Sequence, residues 1–275
     1  MHLMAKGPAP PRRSPALAAL WGAPIGLLGG LIGLGGAEFR LPVLVGVFGY
    51  AARRAVALNL AISLITVVSA LVIRGGTLSL APLLDLLPVV LAMIAGAVSA
   101  AYLGTALVHR VSEHLLERVI LVFLVVIGSA LVVEAFLPQD VPGLLPEAPL
   151  VRLVAAVLFG LGIGLVSSLL GVAGGELIIP TLIFAFGAGI KAAGTASLLV
   201  SLPTVAVGVL RHRGLGAFEE GQDITKTVAP MGVGSVVGAV VGGFLVGIVP
   251  AAALKLLLGI ILIVSAVRIF RGRNR

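Results

Sequence analysis

The chain has 275 residues, of which 59% are hydrophobic and 11% are charged, and its formal net charge is +8. A soluble domain carries about 25% charged residues, so the composition indicates an integral membrane protein. The positive charge forms no long basic patch, which argues against nucleic-acid binding, and the lack of cysteine excludes disulfides, iron–sulfur clusters and thiol chemistry.

The order of apolar segments predicts an all-α polytopic membrane protein. We expect a basic cytoplasmic tail over residues 1–15, a first membrane repeat over 16–137, an acidic linker over 138–149, a second membrane repeat over 150–270 and a C-terminal tail over 271–275. The basic start resembles a signal peptide, but the long glycine-rich run without a clear cleavage site favours a retained first membrane segment.

The apolar segments number five in each repeat. They cover about 16–34, 38–50, 55–73, 83–106 and 116–137, and then 150–172, 176–189, 194–210, 226–249 and 251–270. A spanning helix needs about 20 apolar residues, so segments 38–50 and 176–189 are too short to span easily. The sequence therefore predicts about eight spanning helices and two short half-helices.

The two repeats are internal duplicates. Residues 22–76 and 160–214 share about 19 identities in 55 ungapped positions, and every equivalent pair is 138 residues apart. Each copy has a glycine cluster, then a glutamate, then a proline: Gly33, Gly35, Gly36, Glu38 and Pro42, and Gly171, Gly174, Gly175, Glu176 and Pro180. This self-similarity predicts two structurally related halves.

Each glycine cluster predicts a break in a membrane helix. Glycine lowers helix propensity and proline removes a backbone donor, so Pro42 and Pro180 were expected to help break the helices. A break frees backbone N–H and C=O groups that lipid cannot satisfy, and it is tolerated only where protein or a wet cavity surrounds it. Two broken segments at matching positions indicate a transporter binding site.

The Lys and Arg count gives two possible layouts. If residues 16–50 return Arg53 and Arg54 to the cytoplasmic side, the halves are inverted and 14 basic residues lie inside against 4 outside, with Arg74, Arg152, Lys191 and Lys255 outside. If residues 38–50 stay on the outer side, the halves are parallel and the count is 12 to 6. The positive-inside rule modestly favours the inverted layout, and both layouts place both termini inside.

At these motifs the chain resembles the sulfite exporter TauE/SafE family of membrane transporters over about residues 16–270. That family carries a duplicated Gly-x-Gly-Gly-Gly followed by Pro; here Ala37 and Ala173 replace one glycine in each copy. Glu38, Glu176 and Arg40 depart from the family pattern. The resemblance implies about eight membrane helices, a plasma (inner) membrane location and a small sulfur-containing or organic anion as substrate, with no cofactor and no metal.

The glycine clusters are candidate anion sites. Helix N-termini carry unsatisfied N–H donors and partial positive charge, so Gly33, Gly35, Gly36, Gly171, Gly174 and Gly175 are candidates for substrate binding. The alternative is close packing of the half-helices. Packing alone is expected for the small-residue ladders of Gly22, Gly26 and Gly30, of Gly160, Gly164 and Ser168, and of Gly234, Gly238 and Gly242.

Glu38 and Glu176 are candidates for proton coupling or gating. A charge at bilayer depth costs about 2.5–3.5 kcal/mol on insertion scales, and burial favours the neutral form of a carboxylate. The alternative is that each glutamate is held at a helix N-terminus by the dipole. Arg40 is expected to bind the anion or to form an ion pair with Glu176, while Lys191 is expected to lie in an interfacial loop.

Two polar rows are candidates to line the path. Asn59, Ser63 and Thr66 have i, i+4, i+7 spacing, and Ser197, Ser201 and Thr204, preceded by Thr195, are their counterparts. We assign Asn59, Ser63, Thr195, Ser197 and Ser201 to substrate binding. The alternative is interhelical hydrogen bonding.

These features favour a secondary transporter, an exporter of a small anion such as sulfite, a sulfonate or an organic acid, working by alternating access with possible proton coupling. The alternatives are a proton-coupled carrier of another solute, including a cation, and a non-transporting membrane scaffold. An enzyme is not expected, because no nucleophile–base pair or metal-ligand set is found. The expected partners are the lipid bilayer, the anion, protons and a possible second copy of the chain.

Overall fold

The computed structural model describes residues 14–50, 52–78, 81–107, 142–170, 172–214 and 221–250, with short pieces between 125 and 136 and between 252 and 264. Within these residues every regular element is helical. In chain order the helices are α1 (Pro15–Ile32), α2 (Ala37–Gly46), α3 (Ala52–Thr77), α4 (Ala81–Leu107), α5 (Pro149–Leu170), α6 (Gly175–Phe184), α7 (Ile190–Gly214) and α8 (Gly221–Ile248). The prediction of an all-α membrane protein is confirmed.

Six of these helices, α1, α3, α4, α5, α7 and α8, are long and apolar enough to cross a membrane. Helices α2 and α6 have 10 residues each, about 15 Å at 1.5 Å per residue, or half of a hydrocarbon core of about 30 Å. The predicted half-helices therefore exist. The predicted segments 116–137 and 251–270 lie largely outside the described residues, so a total of eight spans stays a prediction.

Each short helix folds back beside the long helix that precedes it. A Cβ on Gly36, at the start of α2, would lie 2.9 Å from the carbonyl oxygen of Ile25 on α1. In the same way, a Cβ on Gly174, at the start of α6, would lie 3.0 Å from Cγ2 of Ile163 on α5. Leu44, near the end of α2, and Phe48, in the turn after it, belong to one apolar cluster with Ala18, near the start of α1. The chain thus turns back at each break.

The small-residue ladders pack helices from different halves against each other. Gly22, Gly26 and Gly30 of α1 contact Met231, Ser235 and Ala239 of α8 in that order, and Gly234, Gly238 and Gly242 face α1 from the other side. Gly160 and Gly164 of α5 contact Met93 and Ala97 of α4 in the same manner. Small residues permit this backbone approach, and the predicted packing role of the ladders is confirmed.

The two helices in each cross-half pair are parallel, because the residue numbers of the contacting residues increase in the same direction along both helices. Helices α3 and α7 contact each other between these pairs. Helix α1 of the first half therefore packs against α8 of the second half, and α5 of the second half packs against α4 of the first half. This interlocking brings the two breaks to the centre of the molecule.

Candidate functional site

Both breaks end with a left-handed glycine. Gly36 (φ 74°) is the N-cap of α2, and Gly174 (φ 78°) is the N-cap of α6. Any residue with a Cβ is strained in this region, by about 1–2 kcal/mol, so glycine at both positions is a backbone requirement. Gly33 ends α1, and its N–H donates to the carbonyl of Gly29 at 2.9 Å.

The prolines lie inside the short helices and not at the breaks. Pro180 is the sixth residue of α6, and the backbone of Pro42 occupies the sixth position of α2. The expectation that the prolines break the helices is therefore wrong, and the glycines alone form the breaks. Pro180 has no N–H to donate to the carbonyl of Glu176, four residues earlier, so that carbonyl lacks its intrahelical partner.

The two breaks touch at the interface between the halves. A Cβ on Gly33 would lie 2.7 Å from the Cα of Gly194 on α7, and a Cβ on Gly175 would lie 2.8 Å from the Cα of Leu34. A Cβ on Gly35 would lie 3.2 Å from the Cβ of Ala173. The start of α6 therefore rests directly on the first break, with backbone against backbone.

In the first half, Arg40 joins the polar row to the break. Its side chain is fully buried. Nη1 donates to Ser63 Oγ at 2.9 Å and to Asn59 Oδ1 at 3.3 Å, and Nη2 donates to Thr66 Oγ1 at 3.1 Å and to the Gly35 carbonyl at 3.2 Å. Asn59 also donates to the Ala37 carbonyl at 3.0 Å. The structure thus brings Arg40 and the predicted row Asn59, Ser63 and Thr66 together.

This arrangement corrects the expected pairing of Arg40 with Glu176. Among the described residues, Arg40 bonds to neutral oxygens on α3 and to its own break, and Glu176 is not one of its partners. The planar fork of a guanidinium matches several acceptors held at fixed angles. The sequence analysis assigns a polar role to each of these side chains, but their choice of partner depends on how α2 folds back against α3.

The second half has the same row with different bonds. Ser201 Oγ donates to the Ala173 carbonyl at 2.8 Å, and Thr204 Oγ1 donates to the Val200 carbonyl at 2.8 Å within its own helix. The position equivalent to Arg40 is Ile178, which is 1% exposed. No arginine therefore reaches this row from the equivalent place on α6.

Two buried oxygens near the start of α6 and on α7 have no hydrogen-bond partner within the described residues: Glu176 Oε2 and Ser197 Oγ. Glu176 is 7% exposed and lies in the first turn of α6, and Ser197 is fully buried on α7. Buried polar atoms are nearly always bonded. These two atoms therefore have bonding capacity that none of the described residues uses.

Arg74, which the charge count assigns to the outer side, is a buried residue of the site and not a solvent-exposed charge. Its side chain is fully buried in the last turn of α3. Nε donates to the Gly30 carbonyl at 2.9 Å and Nη2 to the Leu31 carbonyl at 2.8 Å, at the end of α1, while Nη1 donates to Thr195 Oγ1 at 3.1 Å. Arg74 thus binds the last carbonyls of α1 and ties them to the predicted site residue Thr195.

Some predicted site residues lie outside the described part of the structure. Gly171 is one of them, and the side chains of Glu38 and Pro42 are also outside it. Within the described residues, no group of three or more His, Cys, Asp or Glu side chains is arranged to hold a metal ion.

Six apolar spanning helices, two half-helices that fold back at glycine breaks, and buried polar groups around both breaks define an integral membrane protein with the architecture of a transporter. The model of the sulfite exporter TauE/SafE family matches residues 2–131 and 156–275, so the chain belongs to that family. The predicted resemblance is confirmed, and the family consists of membrane transporters and not of enzymes. Searches of curated proteins and of solved structures give no match.

Proposed function

We propose that this protein is a secondary transporter, an exporter of a small anion such as sulfite, a sulfonate or an organic acid. The observation that carries the proposal is the contact of two helix breaks at the interface between the halves, with buried polar side chains on both sides. Family membership supports a sulfite-like substrate. A passive scaffold would have no use for two buried charged motifs, which are costly in lipid.

The anion site in this proposal is the pair of half-helix starts. The first N–H groups of α2 and α6 have no partner within their own helices, and the positive ends of both helix dipoles point toward the breaks. Arg40 adds a positive charge whose direction is fixed by four hydrogen bonds. An oxyanion between the two starts would therefore meet backbone donors from both halves.

The transport cycle in this proposal is a rocking of two inverted halves. Helix α1 runs parallel to α8 and α4 runs parallel to α5, as the order of their glycine contacts indicates. Arg74 at the end of α3 bonds to the end of α1, so α1 and α3 run in the same direction. Helix α4 follows α3 directly and runs back in the opposite direction, and α5 is parallel to α4. This packing therefore supports opposite directions for α1 and α5. Inverted repeats of this kind are the usual basis of alternating access.

Glu176 is the proposed proton-coupling group, with Glu38 as its counterpart in the first repeat. Glu176 is buried, and its Oε2 has no hydrogen-bond partner within the described residues. A carboxylate in that setting favours the neutral form, so proton binding and release can follow the opening of the site. The positive-inside count supports cytoplasmic termini, and family membership supports the plasma membrane as the location.

Flux into proteoliposomes tests the proposal. Sulfite, sulfate, a short sulfonate and a short carboxylate are supplied in turn, with and without a pH gradient. We expect saturable flux of at least one anion, driven by the gradient. Saturable flux of a cation alone would favour the alternative carrier, and no flux of any solute by folded protein would favour the scaffold.

The glutamates are tested in the same assay. We expect Glu176→Gln and Glu38→Gln to abolish the response to the pH gradient, because glutamine keeps the shape of glutamate but does not titrate. Thr181→Ala is the matched control, since it removes a buried hydrogen bond within α6 and leaves every titratable group in place. Gradient-driven flux that survives both glutamine variants would exclude these residues from coupling.

A further inference from the structure

One end of the molecule carries a buried polar cluster that joins the two halves. Tyr50 Oη donates to Asp223 Oδ1 at 3.0 Å and lies 2.7 Å from Thr227 Oγ1, and Arg54 Nε forms an ion pair with Asp223 Oδ2 at 2.6 Å. Tyr50 is 2% exposed, Asp223 1% and Thr227 not at all. We call these four residues the tyrosine cluster. It joins the start of α3 and the turn before it to the start of α8.

The opposite end carries an open cavity. Its volume is about 490 Å³, and it lies among the starts of α4 and α5 and the turn between α6 and α7. Asp85, Val89, Ala188 and Ala192 are four of its lining residues. Arg152 also lines it and donates from Nη2 to the Phe186 carbonyl at 2.9 Å. We call this cavity the vestibule.

The tyrosine cluster and the vestibule occupy equivalent places in the two repeats. The offset of 138 residues relates all four cluster positions to vestibule positions: Tyr50 to Ala188, Arg54 to Ala192, Asp223 to Asp85 and Thr227 to Val89. The same offset relates Met93 to Met231, which contact the equivalent glycines Gly160 and Gly22. The equivalence is therefore one of structure as well as of sequence.

The side chains account for the difference between the two ends. At the vestibule, two alanines stand where the cluster has a tyrosine and an arginine, so Asp85 is exposed while Asp223 is buried and bonded. The vestibule also approaches the central site, since Ala192 lies one helical turn before Thr195, the partner of Arg74. The tyrosine cluster covers an apolar layer at the other end that includes Phe48 and Ala55.

We propose that the vestibule is the open mouth of the anion path and that the tyrosine cluster is the closed gate of the opposite mouth. The inference rests on the proposed transport function and adds the residues that gate it. Because the gate joins α3 and the preceding turn in the first repeat to α8 in the second, movement of one half against the other must break its bonds. The π-helical turn at Ile224–Val228 lies directly after Asp223, and such turns are frequent at functional sites.

Cysteine accessibility tests the gate without a substrate. The chain has no cysteine, so a single introduced thiol reports its own position. Ala192→Cys reports on the vestibule and Ala55→Cys reports on the layer under the gate; both are small-for-small changes. A membrane-impermeant maleimide is added to one face or the other of reconstituted vesicles of known orientation.

We expect Ala192→Cys to react from one face and Ala55→Cys to be protected from both. Adding Tyr50→Phe removes only the hydroxyl that bonds to Asp223 and Thr227. The labelling rate of Ala55→Cys from the opposite face should then rise at least about tenfold, which corresponds to about 1.4 kcal/mol of lost closure. Thr227→Val is a second gate variant that does not change the ring. Unchanged protection of Ala55→Cys in both variants would overturn the gate, and so would an unreactive Ala192→Cys.

A transplant of the cluster gives the reciprocal test. The triple variant Ala188→Tyr, Ala192→Arg and Val89→Thr places the same side chains around the native Asp85. Gly189→Cys serves as the reporter, because it lines the vestibule and a Cβ there meets no atom within 4 Å. We expect its labelling to fall severalfold, with Ala188→Phe as the control for bulk alone. Full labelling in the triple variant would contradict the assignment.

The failure of this inference is distinguishable from that of the transport function. Labelling that follows the expected pattern, with no flux of any anion, would leave the gate standing and remove the anion proposal. Saturable anion flux with unchanged labelling in the gate variants would leave the transporter standing and remove the gate.

Discussion

In the first half of the molecule an arginine bonds the break, and in the second half a serine bonds the equivalent break. The Gly35 carbonyl accepts from Arg40, and the Ala173 carbonyl, its repeat counterpart, accepts from Ser201. The backbone course is shared, since Gly36 and Gly174 have nearly the same φ. Duplication has thus kept the backbone while the side chains that satisfy it have diverged.

This comparison explains where unused bonding capacity occurs. In the first half, Arg40 supplies donors to the whole polar row. In the second half, Ile178 stands in the place of that arginine, and Ser197 Oγ and Glu176 Oε2 have no partner within the described residues. Arg40 on one side, and two oxygens without a hydrogen-bond partner among the described residues on the other, make the two breaks chemically unequal.

The largest effect on stability is expected for Arg40→Met. The substitution leaves buried oxygens of Asn59, Ser63 and Gly35 without their donor, at about 1–3 kcal/mol for each unsatisfied group. We expect a marked fall in the temperature at which the detergent-solubilised protein loses monodispersity. Ile178→Met at the equivalent position should cost less than about 1.5 kcal/mol, because it exchanges one apolar side chain for another. Equal stability of the two variants would contradict the account of the first break.

A smaller effect is expected where the two breaks touch. A Cβ on Gly175 would lie 2.8 Å from backbone atoms of Leu34, so Gly175→Ala must push the breaks apart at a cost of about 1–3 kcal/mol. The equivalent residue in the first half is already Ala37, and Ala37→Gly should cost about 1 kcal/mol or less. Thermal unfolding of both variants measures the difference. A Gly175→Ala protein as stable as the parent would show that the breaks do not meet tightly.

The smallest effect is expected for Ser197 on α7, whose equivalent on α3 is Asn59. Asn59→Ala removes bonds to Arg40 and to the Ala37 carbonyl and should cost about 1–3 kcal/mol. Ser197→Ala removes an oxygen that has no partner among the described residues and should be close to neutral. We expect anion affinity to fall in Ser197→Ala while its thermal stability stays at the parent value. A large loss of stability in Ser197→Ala would mean that its hydroxyl is structural.

Much of the fold follows from local sequence signals. The lengths of the helices follow from the apolar runs, and the breaks follow from the glycine clusters. The glycine ladders predict close packing, whichever helix is the partner. The sequence does not show which helices pair, because a ladder such as Gly22, Gly26 and Gly30 fits any small-residue face. The cross-half pairing of α1 with α8 therefore had to come from the structure.

The sequence predicts which residues belong to the site, but it does not predict which of them contact one another. The polar row and Arg40 were identified because polar residues are rare in membrane helices. The burial of Arg74 was not predicted, because an arginine at the end of an apolar run usually lies at the interface, and only the end of α1 beside it explains its burial. The bond from Tyr50 to Asp223 joins residues 173 positions apart, and no local pattern predicts a contact at that distance.

The most direct test of the central claim is counterflow of radiolabelled sulfite. Liposomes containing the protein are loaded with unlabelled sulfite and diluted into a trace of the labelled ion, under anaerobic conditions. A transporter with one site exposed alternately to each face will accumulate label transiently above its external concentration, and we expect that overshoot in the parent. Entry of label without an overshoot would indicate a channel, and no entry, in protein shown to be folded, would contradict sulfite as the substrate.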